Sequence, residues 1–241
     1  MLRTLVGEEP RKDEGVLLEA MNSMNETLQL LQRRIHKHGD PSHEDRKTDI
    51  LTRGLISSLD ELEQSTFVAG YFRSKVKAGA GDQMSASDQP DYSRYVYFYK
   101  DGFIRVFSML DKLGNLLNDL YDLNTTRVKA HYSYYTVLRQ FKYLKVHGTL
   151  ADRLFDLKDQ YRAPMDRLRK RRNIEVHHMS PEMQDDLWQR HRALFGPIRL
   201  EDVDAHLEDL RQGLEMVCRS VTVAFDYTND FLRRAQKNKL H

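Results

Sequence analysis

The sequence predicts an all-α protein, an up-and-down bundle of five to seven helices. Glycine and proline are sparse, 12 and 6 in 241 residues, and gather at a few points, so long segments run without a breaker. Those segments carry apolar residues at the three-and-four spacing of a helix, and no stretch alternates as a strand does. No internal repeat is visible that would indicate a solenoid.

The first helix is expected from about residue 14 to 38, with Leu17, Met21, Met24, Leu28, Leu31 and Ile35 on one stripe and Gly39-Asp40-Pro41 as its stop. A second begins near Ser42, where Ser-His-Glu-Asp resembles a capping box, and carries Leu51, Leu55, Leu59 and Leu62 towards Val76. Residues 77–91, KAGAGDQMSASDQPD, are small, polar and aperiodic and read as a flexible loop; their Gly-Ala-Gly lacks the Gly-Lys-Ser/Thr of a phosphate loop. Residues 92–123 are the most apolar, and the stripe through Phe103, Phe107, Leu110, Gly114, Leu117 and Tyr121 is wide enough for a central helix. A helix over 131–146 aligns Tyr134, Leu138 and Phe141, and a short one follows Gly148. Pro164 suits the first turn of a helix over 163–179, which Ser180-Pro181 ends. The last helix, 200–237, repeats Val203, Leu207, Leu210, Leu214, Val217, Val221 and Ala224 in a heptad-like rhythm. This divides the chain into an N-terminal extension of two long helices (1–80), packed on the bundle, a flexible loop (81–91) and the bundle itself (92–241).

Composition narrows the function classes. With 38 Lys+Arg against 36 Asp+Glu the formal charge is +2, so a polyanion site has to be local rather than a property of the whole surface. The lone Cys218 cannot form an internal disulfide, the first fifteen residues lack a secretory apolar region, and no window approaches the roughly 18 apolar residues of a membrane span. A cytoplasmic protein without a membrane partner is expected. The tyrosines of YVYFYKDGF and HYSYY are potential base-stacking platforms, but at helical spacing the expected role is packing.

The chemistry-bearing stretch is RRNIEVHH, residues 171–178. Advancing about 100° per residue, Met165, Leu168, Arg172, Val176 and Met179 fall on one stripe, which places a guanidinium in an apolar seam. Such a group needs a carboxylate, a phosphate or a partner's polar surface. Asn173 and His177, four apart, share one flank. Arg169, Lys170 and Arg171 add local positive charge as phosphate-binding candidates, with Arg171 and His178 expected beside Glu175 on a solvated face. Asp111, on the edge of the central stripe, is the nearest candidate carboxylate for Arg172, with Asp119 and Asp122 beyond it.

An all-helical chain with Arg-Asn-x-x-x-His on a helix resembles the HEPN superfamily. With four to six residues allowed between arginine and histidine, Arg33/His38, Arg199/His206 and Arg234/His241 also satisfy the looser spacing, and none of them has asparagine after the arginine. The resemblance implies a homodimer whose two motifs meet in one composite site, acting as a metal-independent endoribonuclease of toxin–antitoxin or defence type, or as an RNA- or nucleotide-binding relative. It implies Arg172 on phosphate, His177 on protons and Asn173 positioning, no cofactor, and an antitoxin-type protein as a further partner. Histidine suits either proton role at neutral pH, and arginine offers a forked donor to phosphate oxygens. The competing reading is a non-catalytic helical scaffold in which Arg172 makes a structural ion pair. Glu175-x-x-His178 matches half of a di-iron motif, but the chain has no second Glu-x-x-His, and no metal site is expected.

Overall fold

A computed structural model describes residues 2–38, 43–76, 88–177 and 202–238. Among these residues the structure is helical: α1 (Leu2–Leu5), α2 (Gly15–His38), α3 (His43–Lys75), α4 (Gln89–Leu120), a 3-10 turn (Thr125–Arg127), α5 (Tyr134–Leu144), α6 (Gly148–Gln160), α7 (Arg162–His177) and α8 (Val203–Asn238). None of these helices is long and apolar enough to cross a membrane. The expected loop at 77–91 and the stop at Ser180-Pro181 lie largely or wholly outside the described residues.

Helix α4 begins three residues earlier than the stripe suggests, with Pro90 in its first turn, where a missing N–H is harmless. It ends three residues earlier as well. Asp122 (φ 47°) and Asn124 (φ 53°) are left-handed, and the Leu123 amide turns back onto the Asn118 carbonyl. Lys145 (φ 54°) and His147 (φ 49°) are left-handed too, one closing α5 and the other opening α6. Four residues in the two connections flanking α5 thus use a conformation that costs a non-glycine residue about 1 kcal/mol or more.

The chain forms two compact units. The first comprises Met1–Arg11, Leu62–Arg105 and Arg162–Leu214, and so contains α1, α7 and parts of α3, α4 and α8. Its core includes Phe72, Tyr95, Tyr99, Phe103, Leu168 and Leu210. A Cβ on Gly102 would stand 2.8 Å from Leu210 Cδ2, so α4 and α8 approach closely here. The unanticipated α1 is held by Arg3, which pairs with Glu63, and by the Leu2 amide, which donates to Gln64 Oε1 at 2.9 Å; just beyond it, Tyr71 donates its hydroxyl to the Val6 carbonyl at 3.0 Å.

The second unit comprises Lys12–Glu61, Val106–Tyr161 and Glu215–His241. Its core takes Met24, Leu31, Leu59, Leu110, Phe141 and Val221, residues that the stripes place inward. A Cβ on Gly114 would lie 3.0 Å from the Tyr134 Cα, so α4 meets the backbone of α5 there. Both units take chain from either side of residue 80.

Candidate functional site: the motif helix

Helix α7 begins as an ordinary amphipathic element, with Pro164, Met165 and Leu168 buried. The apolar seam then gives out. Val176 is 53% exposed, contrary to the expected stripe, and Met179 lies outside the described residues. In the last two turns the inward positions are Arg171, Arg172 and Glu175, all partly buried. Ion pairs therefore replace oil as the adhesive at this end of the helix.

Two anchors come from other elements of the same unit. Asp209 of α8 has a nearly enclosed side chain, 4% exposed, and accepts from two arginines of α7. Arg167 reaches it bidentately, Nε to Oδ2 at 2.9 Å and Nη2 to Oδ1 at 2.6 Å. Arg171 donates from Nη1 to Asp209 Oδ2 at 2.9 Å and to the Tyr99 hydroxyl at 3.0 Å. Burial opposes the charge on Arg171, but the Tyr99 hydroxyl and the Asp209 carboxylate more than offset it, and its pKa rises. The Tyr99 ring lies nearly parallel to His206, with centroids 5.8 Å apart. The second anchor joins Glu175 Oε2 to Lys100 Nζ of α4 at 3.0 Å, with side chains 18% and 7% exposed.

This corrects the expectation for Arg171 and Glu175. Neither lies on a solvated face, because a buried lysine and a buried aspartate recruit them inward. Arg171 turns its Nη1 inward, to Asp209 and Tyr99. His178, expected on that face as well, is outside the described residues. The tyrosine reading holds where it concerned packing: Tyr95, Tyr99 and Tyr134 are buried, whereas Tyr97 is exposed.

The remaining candidates divide by face. Arg169, Lys170, Asn173 and His177 are exposed, and Arg169 pairs along the helix with Asp166 at 2.6 Å. Lys170, Asn173 and His177 fall within about 60° around the helix axis, while Arg172 stands about 140° from His177. Arg172 is partly buried, with its Nε shut off from solvent. One copy of the helix thus offers an amide, an imidazole and an ammonium on one open flank and holds the motif arginine at the rim of the buried seam. Asp111, in the other unit, accepts from the Tyr134 amide at 2.8 Å, at the N-terminus of α5.

The residues missed from sequence are Asp209, Lys100 and Tyr99. Asp209 carried a signal, a carboxylate between Leu207 and Leu210 on the edge of the α8 stripe. Its partners lie 42 and 38 residues away, a separation that helical periodicity does not reach.

No curated protein and no solved structure matches the chain. A family model, HEPN_Cthe2314-like HEPN, matches residues 51–229, well over half of the sequence and inclusive of α7. The motif helix and the all-helical architecture agree with that match, and the chain belongs to the HEPN_Cthe2314-like HEPN family.

Proposed function

We propose that the protein acts on RNA as a metal-independent endoribonuclease whose working unit is a dimer formed at α7. The observation that carries this reading is the open flank of α7, where Asn173 and His177 stand exposed one turn apart beside Lys170, on the helix that also bears Arg172. Helical geometry sets Arg172 and His177 of one copy on different sides. Two copies meeting at this flank bring two imidazoles to one phosphate and let each chain complete the other's site. One histidine takes the proton of the 2′-hydroxyl, whose oxygen attacks phosphorus. The other returns a proton to the departing 5′-oxygen, leaving a 2′,3′-cyclic phosphate and a 5′-hydroxyl. Arg172 offers its fork to the phosphorane oxygens, Asn173 orients the imidazole or the phosphate, and Arg169 and Lys170 hold neighbouring phosphates. A neutralising partner protein would cover the same flank.

The test is cleavage of total RNA in EDTA by wild type and His177→Ala. Wild type should cleave and His177→Ala should lose at least about a hundredfold in rate, the scale of one proton-transfer group. Because His177 is exposed, its melting temperature should stay within about 1 °C of wild type, as for other surface changes. Absence of cleavage and of RNA binding by wild type defeats the proposal. That outcome favours a helical scaffold, a reading supported by the internal commitment of Arg171 and Glu175 to Asp209 and Lys100.

A further inference from the structure

We infer that Glu175 is a positioning residue: by holding Lys100 it fixes the last turn of α7, and with it the setting of His177. This rests on the proposed action on RNA, and a part of its test does not. Glu175 lies between Arg172 and His177 in sequence, yet it points the other way from His177, about 160° around the helix. The open flank and the anchored flank are therefore two sides of one turn.

Three observations give the pair this task. First, no buried apolar side chain of α7 follows Leu168, so packing alone does not fix the end of the helix. Second, Lys100 is deeply buried on α4, 6% exposed, and an ammonium in such a place demands an anion. Glu175 supplies one at 3.0 Å, and the mostly desolvated pair is screened far less than a surface bridge. Third, the other anchor, Asp209, grips Arg167 and Arg171 and so acts a turn or more before His177. Glu175 alone of these anchored residues sits within one turn of the imidazole. With its last turn pinned in this way, the helix carries His177 in one rotational setting, as proton transfer over a hydrogen-bond distance requires.

The test is a double-mutant cycle on the full chain with Glu175→Gln, Lys100→Gln and both together. Two readouts are followed, hydrogen exchange of the amides at 174–177 and steady-state RNA cleavage. Each single change should speed exchange at those amides by about tenfold, a local opening, while the amides of α6 are unaffected. In cleavage, each should lower kcat by about tenfold and leave KM within about twofold, the signature of a misplaced group rather than lost RNA binding. The double variant should be no worse than Glu175→Gln alone, because the two side chains act as one pair. Glu175→Gln is close in shape to the native residue and keeps the cycle readable if Lys100→Gln fails to fold. Unchanged exchange at 174–177 in Glu175→Gln overturns the inference, as does additive loss in the double variant or a loss confined to KM. If wild type does not cleave RNA, the proposed function fails by itself, and the exchange arm still decides whether Glu175 fixes this turn.

Discussion

Helix α8 is held by different chemistry at its two ends. In the first unit its enclosed side-chain anchor is a charge: Asp209 gathers Arg167 and Arg171 from α7, beside a single buried hydroxyl bond from Tyr95 to the Val203 carbonyl. In the second unit its anchors are mainly hydroxyls and an amide. Thr27 donates to Asn229 Oδ1 at 2.5 Å, Asn229 donates to the Ser23 carbonyl at 3.0 Å, the Ser23 hydroxyl donates to Asp226 at 2.6 Å, and Tyr121 meets Thr228 at 2.9 Å. The charge pair that joins α8 to α2, Arg233 with Glu26, is about half exposed. Neutral hydrogen bonds set register at small desolvation cost, and they suit a region whose task is to stay packed. Enclosed ions are expensive to bring out of water and are a poor way to gain stability. At α7 the enclosed Asp209 and Lys100 mark a place where the fold spends stability on orienting charged side chains.

The largest expected effect comes from breaking the charged anchor. Asp209→Asn leaves Arg167 and Arg171 without their shared carboxylate. It should destabilise the protein by about 2–3 kcal/mol, a value kept low because Arg167 is half exposed. The melting temperature should fall by about 5–10 °C, and by less as salt rises. Asn229→Ala breaks the neutral network instead. It should cost about 1–2 kcal/mol in denaturant unfolding, with little salt dependence, because the carboxylate it also touches, Glu26, keeps its pairing with Arg233. Equal salt responses of these two variants would erase the contrast.

Two glycines of α4 sharpen it further. Gly114→Ala drives a methyl to 3.0 Å from the Tyr134 backbone, which has nowhere to go, and should destabilise by about 1 kcal/mol after the helix-propensity gain. Gly102→Ala meets the end of the Leu210 side chain, which can rotate, so its change in midpoint should be the smaller one. The smallest effect is on pH dependence. Burial lowers the His147 pKa below its ordinary 6.5. The folded state then prefers neutral imidazole, so the stability it confers is complete above pH 6.5 and is lost as pH falls from there through the lower folded value. Wild type should lose melting temperature over that window more steeply than His147→Asn, which keeps a residue suited to φ 49° and removes the titration.

Helix existence was legible because every long helix buries a stripe several turns long; Met21, Met24, Leu28 and Leu31 of α2 are all buried where the spacing put them. Helix ends were less so. Asp122 and Lys145 break their helices by turning left-handed without a glycine to announce it. For the site, Asn173 and His177 share a flank because that follows from helical geometry within one element. The inward turn of Arg171 and Glu175 follows from Lys100 and Asp209, and a single helix viewed alone ranks both as solvent-facing. Short α1 escaped notice for the same reason, since Glu63 and Gln64, not its own pattern, keep it in place.

The left-handed joint at Lys145 opens a route to a hardier protein. Its backbone already makes the return bonds of a helix terminus, Lys145 N–H to Lys142 O and Val146 N–H to Phe141 O, in a shape that glycine adopts without side-chain conflict. Lys145→Gly should raise the melting temperature by about 1–3 °C, on the scale of a relieved left-handed residue. Laboratory work on a weakened Asp209 or Glu175 variant can therefore begin from a toughened background whose alteration lies at the far end of α5, outside the motif helix.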